Sequence, residues 1–576
     1  MATETRISSP GKYAGYSEQI YSERVLNSQY VEVRDKTRLA VDIFRPAVNG
    51  VAVDAAYPVL LGVTPYRRAF CETDGSVSRY AETYAGGIAE LTKYGYVVVA
   101  LDLRGRGASF GISVARQDWN EAWDIHDVIE WLAAQSWCDG KVGMWGCSYP
   151  GADQLRAAAT KPPALKAIWW ASGATGDMYE KTVRGGVLSD DYNWDKLVSM
   201  DEKTVPVDED ADGSMLRDAV SSRPFNTTQE QIESSQPFRD SYVPATGGRF
   251  NLDNSPLYYR DLINDTGIGI YHWLTWNDTT ESRLRLVDAV NFGSPLKLMI
   301  GGFWGHCGGG MTRNGTLRNG TPPEAERIDF FAEHHRFFDY YLKDIDNGLL
   351  TEPAVYMYTK GRPAGQEWRF ESQWPLEKET RRRLYFDADG GLVFHVPHEG
   401  QDEHQVDYTI STKDMATKGL VYETTPLLHD AEITGHPVVH LWVSSTATDG
   451  DFFAVLDDID ENGNSVLGPW PHIDGRLRAS HRKLSEPEFD NLGLPWHRSF
   501  AEDIEPLVPG ERTELRFDIM PTSNIFKAGH RIRITISGSM LDGSGRAPGL
   551  DDGPAPLITV YRGGEHASFV ELPFID

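Results

Sequence analysis

Six residues, Gly146-Cys147-Ser148-Tyr149-Pro150-Gly151, place a hydroxyl where it could act as a nucleophile. They lie between Lys141-Val142-Gly143-Met144-Trp145, an apolar run of strand type, and Ala152 to Ala159, a run of good helix formers. A serine hydroxyl attacks a carbonyl only when a base takes its proton, so it must stand clear of the sheet where an imidazole can reach it. The acid and then the histidine should follow the serine in the chain, each just beyond the end of a later strand. Asp278 lies five residues after the apolar strand ending at Trp273, and His306 follows Leu296-Lys297-Leu298-Met299-Ile300. Glu281 competes for the acid's place and His272 for the base's. In these roles His306 takes the proton of Ser148, while Asp278 fixes the imidazole tautomer and stabilises the imidazolium. The chemistry would be acyl transfer through a covalent intermediate.

The elements that must position these residues follow from the hydrophobic pattern. Tyr30–Val33 and Leu39–Phe44 alternate as an antiparallel hairpin around Asp35-Lys36. Pro58–Val63 and Tyr96–Leu101 are near-continuous apolar runs, as in parallel strands covered on both faces. Tyr80 to Tyr94 reads as a helix, as does Trp119 to Ala134, with Trp123, Val128, Ile129 and Leu132 on one face. With Leu165–Trp170 as a further strand, the succession predicts a doubly wound, mostly parallel sheet over residues 1–175. Within it, a serine between a strand and a helix, flanked by glycines, is the nucleophile elbow of α/β-hydrolases, here with its last glycine one place late and Pro150 in the slot.

Residues 176–265 lose the strand period and read as a helical cap over the strand ends. The α/β pattern resumes over 266–351 and closes with the aromatic-rich helix Ile328 to Leu342. From 352 to 576 short alternating segments such as Val355–Tyr358, Val438–Val443 and Arg531–Ile536 recur without a strong helix, as in an all-β sandwich or jelly roll.

A chain of 576 residues is too long for one core. Its 84 acidic against 56 basic side chains leave a formal charge of −28, which disfavours nucleic acid and anionic membrane as partners. The four cysteines, Cys71, Cys138, Cys147 and Cys307, form no C-x-x-C pair and no zinc spacing, and read as reduced thiols. Residues Met1–Arg6 lack the apolar core of a secretory signal, and no window approaches the ~20 apolar residues of a membrane span. The expectation is a soluble cytoplasmic protein with no metal and no organic cofactor, acting on a small-molecule ester or amide. Homo-oligomerisation is left open.

The elbow resembles that of the cocaine esterase family, relatives of the X-prolyl dipeptidyl peptidases and α-amino acid ester hydrolases. Asp102-Leu103-Arg104-Gly105-Arg106-Gly107, Thr275-Trp276-Asn277-Asp278, Phe303-Trp304-Gly305-His306, Arg336–Lys343 and Lys527–Ile532 also look like family signatures. The resemblance spans most of the chain. It implies an α/β-hydrolase core, a helical cap and a C-terminal jelly roll of galactose-binding-like type, with Ser148, Asp278 and His306 as the triad. It further implies an oxyanion hole made by the Tyr66 hydroxyl and the backbone N–H of Tyr149. Trp169, Trp170 and Phe452 are candidates to line the substrate pocket, and Thr280 stands where relatives accepting aromatic acyl groups carry a bulky aromatic. The activity implied is ester hydrolysis. Cleavage of X-prolyl or α-amino-acyl substrates is the alternative, and it would need an acidic pocket for a free amine. A carbohydrate-binding protein with an inert hydrolase core is the alternative of another class.

Overall fold

The structure, a computed structural model, describes residues 6–172, 176–188, 198–228, 231–232, 235–276, 278, 281–302, 306–309, 324–409, 418–467, 473–539 and 554–576. Its centre is one long sheet. In chain order the strands are β1 (Glu23–Glu32), β2 (Arg38–Val48), β3 (Tyr57–Thr64), β4 (Val97–Asp102), β5 (Cys138–Trp145), β6 (Leu165–Ala171), β7 (Gly269–Thr275), β8 (Leu298–Gly301), β9 (Val355–Tyr358) and β10 (Trp368–Glu371). Across the sheet they run β10-β9-β8-β7-β6-β5-β3-β4-β2-β1. The strands from β4 to β9 are parallel to one another, and the β1–β2 hairpin and β10 pair antiparallel at the two ends.

The inner strands are apolar on both faces because both faces are covered. Helices α1 (Trp119–Ala133) and α2 (Tyr149–Ala159) lie on one side, where Ile125, Val128, Ile129 and Leu155 meet Val59, Leu61 and Met144. On the other side α4 (Phe330–Lys343, following α3 at Glu281–Asn291) packs Phe337, Phe338 and Leu342 against Trp145 and Trp169. Asp118 and Asp329 cap α1 and α4, their carboxylates accepting from Glu121 N and Ala332 N at 3.0 and 3.1 Å.

Three expectations need correction. The segment 80–94 is a short helix, Tyr80–Thr83, followed by two 3-10 turns, because Gly86 and Gly87 take positive φ (76° and 95°) and interrupt it. Trp123 leaves the buried face of α1 and lies exposed under the Arg34 guanidinium, 4.2 Å from its ring centroid. The α/β sheet also runs past residue 352, since Val355–Tyr358 pairs in parallel with β8 and carries β10 beyond it. The change of style seen there in the sequence is the sheet's own edge.

Beyond β10 the chain forms a separate, mostly β domain. Two antiparallel sheets, one built around Val438–Ser445 and Phe569–Ile575 and the other around Asp451–Ile459 and Arg531–Ser537, share one apolar core. The described part of 176–265 holds short helices (Met178–Thr182, Ser214–Ser221, Phe250–Asp253, Arg260–Asn264), 3-10 turns and one two-residue ribbon. Among the described residues no helix is long and apolar enough to cross a membrane.

Candidate active site

Four chain segments reach the same edge of the sheet. Ser148 follows the end of β5, Asp278 the end of β7, His306 the end of β8, and Tyr66 the end of β3. The elbow is built by backbone geometry. Gly146 has φ 145°, and a Cβ there would sit 2.6 Å from the Pro150 Cβ, so only glycine fits. Ser148 itself has φ 63° and ψ −132°, a strained value that turns its side chain out of the sheet. Its N–H donates to Ser172 O, and its carbonyl accepts from Gly151 and Ala152 N at 2.9 Å, which starts α2.

The three side chains meet in line. His306 Nε2 lies 2.7 Å from Ser148 Oγ, and His306 Nδ1 lies 2.6 Å from Asp278 Oδ1. Asp278 is fully buried, whereas a third (33%) of the His306 side chain is exposed. Burial works to raise the Asp278 carboxyl. The charge and hydrogen bond of His306, with the Ser172 hydroxyl, outweigh it and hold the carboxyl below its ordinary value. The arrangement has the geometry of a nucleophile, a base and an orienting acid.

The competing histidine falls away. His272 is buried in β7 with Nε2 2.8 Å from Phe292 O, and burial depresses its pKa to about 3. The side chains of Glu281 and Thr280 lie outside the described residues, as do residues 303–305.

Tyr66 is half-buried two residues past β3, its N–H donating to Thr64 Oγ1 at 2.9 Å. Behind it the Asp102 signature closes the loop, with Asp102 accepting from Arg68 N at 2.5 Å and Ala108 N at 2.9 Å. Tyr149 opens α2, where a helix directs its first N–H groups outward. Its phenol points the other way, donating to Glu121 Oε1 (2.8 Å) and accepting from Gln117 N (2.9 Å). That buried corner also holds Asp153. Burial, then the charges of Asp153 and Asp118, push Glu121 well up, and burial takes Asp153 to about 7 against the opposing charge of Arg156.

The pocket residues proposed from sequence are not at the site. Trp169 is stacked between Tyr271 and His334, at 4.3 and 4.0 Å, and Trp170 is covered by Arg285 at 3.6 Å. Both are fully buried on β6, because a strand covered on both faces has no free side to offer. Phe452 is likewise sealed in the core of the β domain.

The cysteines also differ from expectation. Cys147 and Cys307 form a disulfide, leaving Cys71 exposed and Cys138 buried as free thiols. The sequence does carry a signal for it, since each of the two is the neighbour of a residue that must meet the other in space. Among the described residues no group of three or more His, Cys, Asp or Glu is placed to hold a metal ion.

Residues 35–308 match the family model described as X-Pro dipeptidyl-peptidase (S15 family), and residues 347–571 match its C-terminal non-catalytic domain. A Mycobacterium tuberculosis protein named "Putative serine esterase MT1883" is 30% identical over 620 residues, covering 95% of both chains. This chain belongs to the S15/CocE family of serine hydrolases. The cocaine esterase of a Rhodococcus species is 28% identical over 613 residues, covering 96% of this chain and 98% of that one. The crystal structure of a CocE/NonD family hydrolase from Staphylococcus aureus superposes with a TM-score of 0.74 at 21% identity, over 96% of this chain and 94% of that one. The S15/CocE fold, an α/β core with a separate, mostly β C-terminal domain, thus extends over the whole length.

Proposed function

We propose that this family member hydrolyses a carboxylic ester through an acyl-enzyme, with Ser148 as nucleophile, His306 as general base and then acid, and Asp278 as its orienting partner. The observation that carries this reading is His306 bridging Ser148 Oγ and Asp278 Oδ1 at 2.7 and 2.6 Å. Ser148 gives its proton to Nε2 as Oγ attacks the ester carbonyl, and the imidazolium returns that proton to the leaving alcohol. Water then repeats the sequence on the acyl-enzyme. The Tyr66 hydroxyl and the Tyr149 N–H are the donors we assign to the developing oxyanion. Segment 176–265 is the cap of the cleft, and the β domain is a jelly roll that walls it.

Esters are preferred to amides because the M. tuberculosis and Rhodococcus relatives are both named as esterases. An X-prolyl peptidase is the second reading, favoured by the name of the matching family model. The test is hydrolysis of p-nitrophenyl esters beside an X-Pro p-nitroanilide panel. Ser148→Ala should cost on the order of 10³-fold or more in kcat. Near-normal turnover by that variant would overturn the assignment, and faster anilide than ester cleavage would move it to the peptidase.

A further inference from the structure

We propose that the Cys147–Cys307 disulfide positions the catalytic histidine, so that the two cysteines are positioning residues of the reaction. This rests on the reading of Ser148 and His306 as nucleophile and base. Cys147 immediately precedes Ser148, Cys307 immediately follows His306, and their Cα atoms lie 5.9 Å apart. The two reacting side chains are therefore joined by a short covalent path, Ser148–Cys147–S–S–Cys307–His306, that bypasses the 160 residues separating the cysteines in the chain.

The two ends of that path are not equally secured. Ser148 is held by β5, by α2 and by its N–H bond to Ser172 O. His306 opens a four-residue 3-10 turn, His306–Gly309, whose second residue Cys307 has φ 57°, a left-handed value that a non-glycine residue adopts at a cost. Its ring contacts Asp278 and Ser148, and a third of the side chain is open to solvent. The Nε2–Oγ contact is used when the proton moves. A loosened histidine therefore lowers kcat, while substrate binding, made elsewhere, is little changed.

The bond can be opened without altering the sequence. A dithiol such as dithiothreitol donates two electrons and two protons. The Cys147–Cys307 S–S bond breaks to two thiols as the reagent closes to its own cyclic disulfide. Oxidised glutathione reverses the change, forming two reduced glutathiones. Cys71 and Cys138 are already thiols, so reduction has no other bond to open among the described cysteines.

The experiment measures denatured thiol content, and kcat and KM per active site titrated by the p-nitrophenol burst, before reduction, after reduction and after reoxidation. The expected thiol counts are two, four and two. On reduction kcat should fall by roughly 10- to 10²-fold, as about 1 Å of misplacement costs, with KM within about twofold and recovery on reoxidation. The Cys147→Ser/Cys307→Ser protein should match the reduced enzyme and ignore the dithiol. Four thiols in the untreated protein, or an unchanged kcat per titrated site after full reduction, would overturn the proposal. So would a reduced enzyme that loses only thermal stability. Thiol content is read without turnover, so failure of the clamp is distinguishable from failure of the hydrolase assignment, which full activity of Ser148→Ala would expose.

Discussion

The bond between His306 and Ser148 serves catalysis only if Nε2 is the unprotonated nitrogen, and Asp278 decides that. Its carboxylate, held ionised by the histidine despite full burial, accepts from Nδ1–H and leaves Nε2 to receive the serine proton. An amide in its place can donate to Nδ1 and invert the tautomer. Asp278→Asn is therefore expected to lower kcat by about 10⁴-fold with intact folding, checked by steady-state ester hydrolysis beside circular dichroism. If the Tyr66 hydroxyl is the proposed oxyanion donor, Tyr66→Phe should lower kcat by about 10²–10³-fold with little change in KM, since such a donor bonds the oxyanion and not the substrate carbonyl. Asp153 supplies a test in pH. Its folded pKa of about 7 lies above the ordinary 3.8, so the folded state binds the extra proton between those values. Stability from this group is present in acid and is lost as pH rises through about 7. Asp153→Asn should thus raise Tm at pH 8 by more than at pH 5. A pH-independent difference would show that the carboxyl is not carrying that proton.

At the scale of the element, the elbow works because β5 and α2 are rigid and the three residues between them are not free to relax. Ser148 keeps φ 63° because Gly146 lets the strand turn under Pro150, while the Ser148 carbonyl is already engaged by the first turn of α2. Backbone strain of this kind costs about 1–3 kcal/mol and persists where surrounding packing over-determines it. Gly146→Ala adds a Cβ at 2.6 Å from the Pro150 Cβ and at a φ of 145°. It should destabilise the fold by about 1–3 kcal/mol in urea titration and reduce burst amplitude, because the strain relaxes by moving Ser148. A stable variant with a full burst would mean that the turn tolerates a side chain.

At the scale of the molecule, buried ion pairs fasten the parts together. Arg239 bonds Asp177 and Glu180. Arg283, on α3, bonds Glu180 at 3.4 Å and Asp518 of the β domain. Arg184 also donates to Asp474 O at 2.8 Å, tying the ribbon of the 176–265 segment to the β domain. Burial pushes Asp518 up, but Arg283 outweighs it and holds the carboxylate below 3.8. Its stabilising contribution is present above that value and lost as pH falls below it. Arg283→Ala strands the buried Asp518, while Glu180 keeps Arg239, and should cost about 3–5 kcal/mol; Arg283→Ala/Asp518→Ala should lose less than the sum of the two single losses, as a double-mutant cycle would read. Additive losses would show the pair to be uncoupled.

The elbow, the order of serine, acid and histidine, and the alternation of strand and helix were legible in the sequence because local rules write them. A buried parallel strand must be apolar on both faces, and a glycine is required wherever φ is positive under a neighbouring side chain. Those rules act within a few residues, so they survive in one dimension. Tertiary structure alone decided which aromatic residues are available to a ligand. Trp169 and Trp170 look like any strand tryptophans until Tyr271, His334 and Arg285 arrive from distant segments to cover them. It also decided that the sheet continues to β10 past the expected boundary, since strand pairing is set by the partner edge and not by the strand's own pattern. The pairing of Cys147 with Cys307 was half legible, since the two cysteines adjoin Ser148 and His306, but only the folded sheet brings those two loop ends within bonding reach.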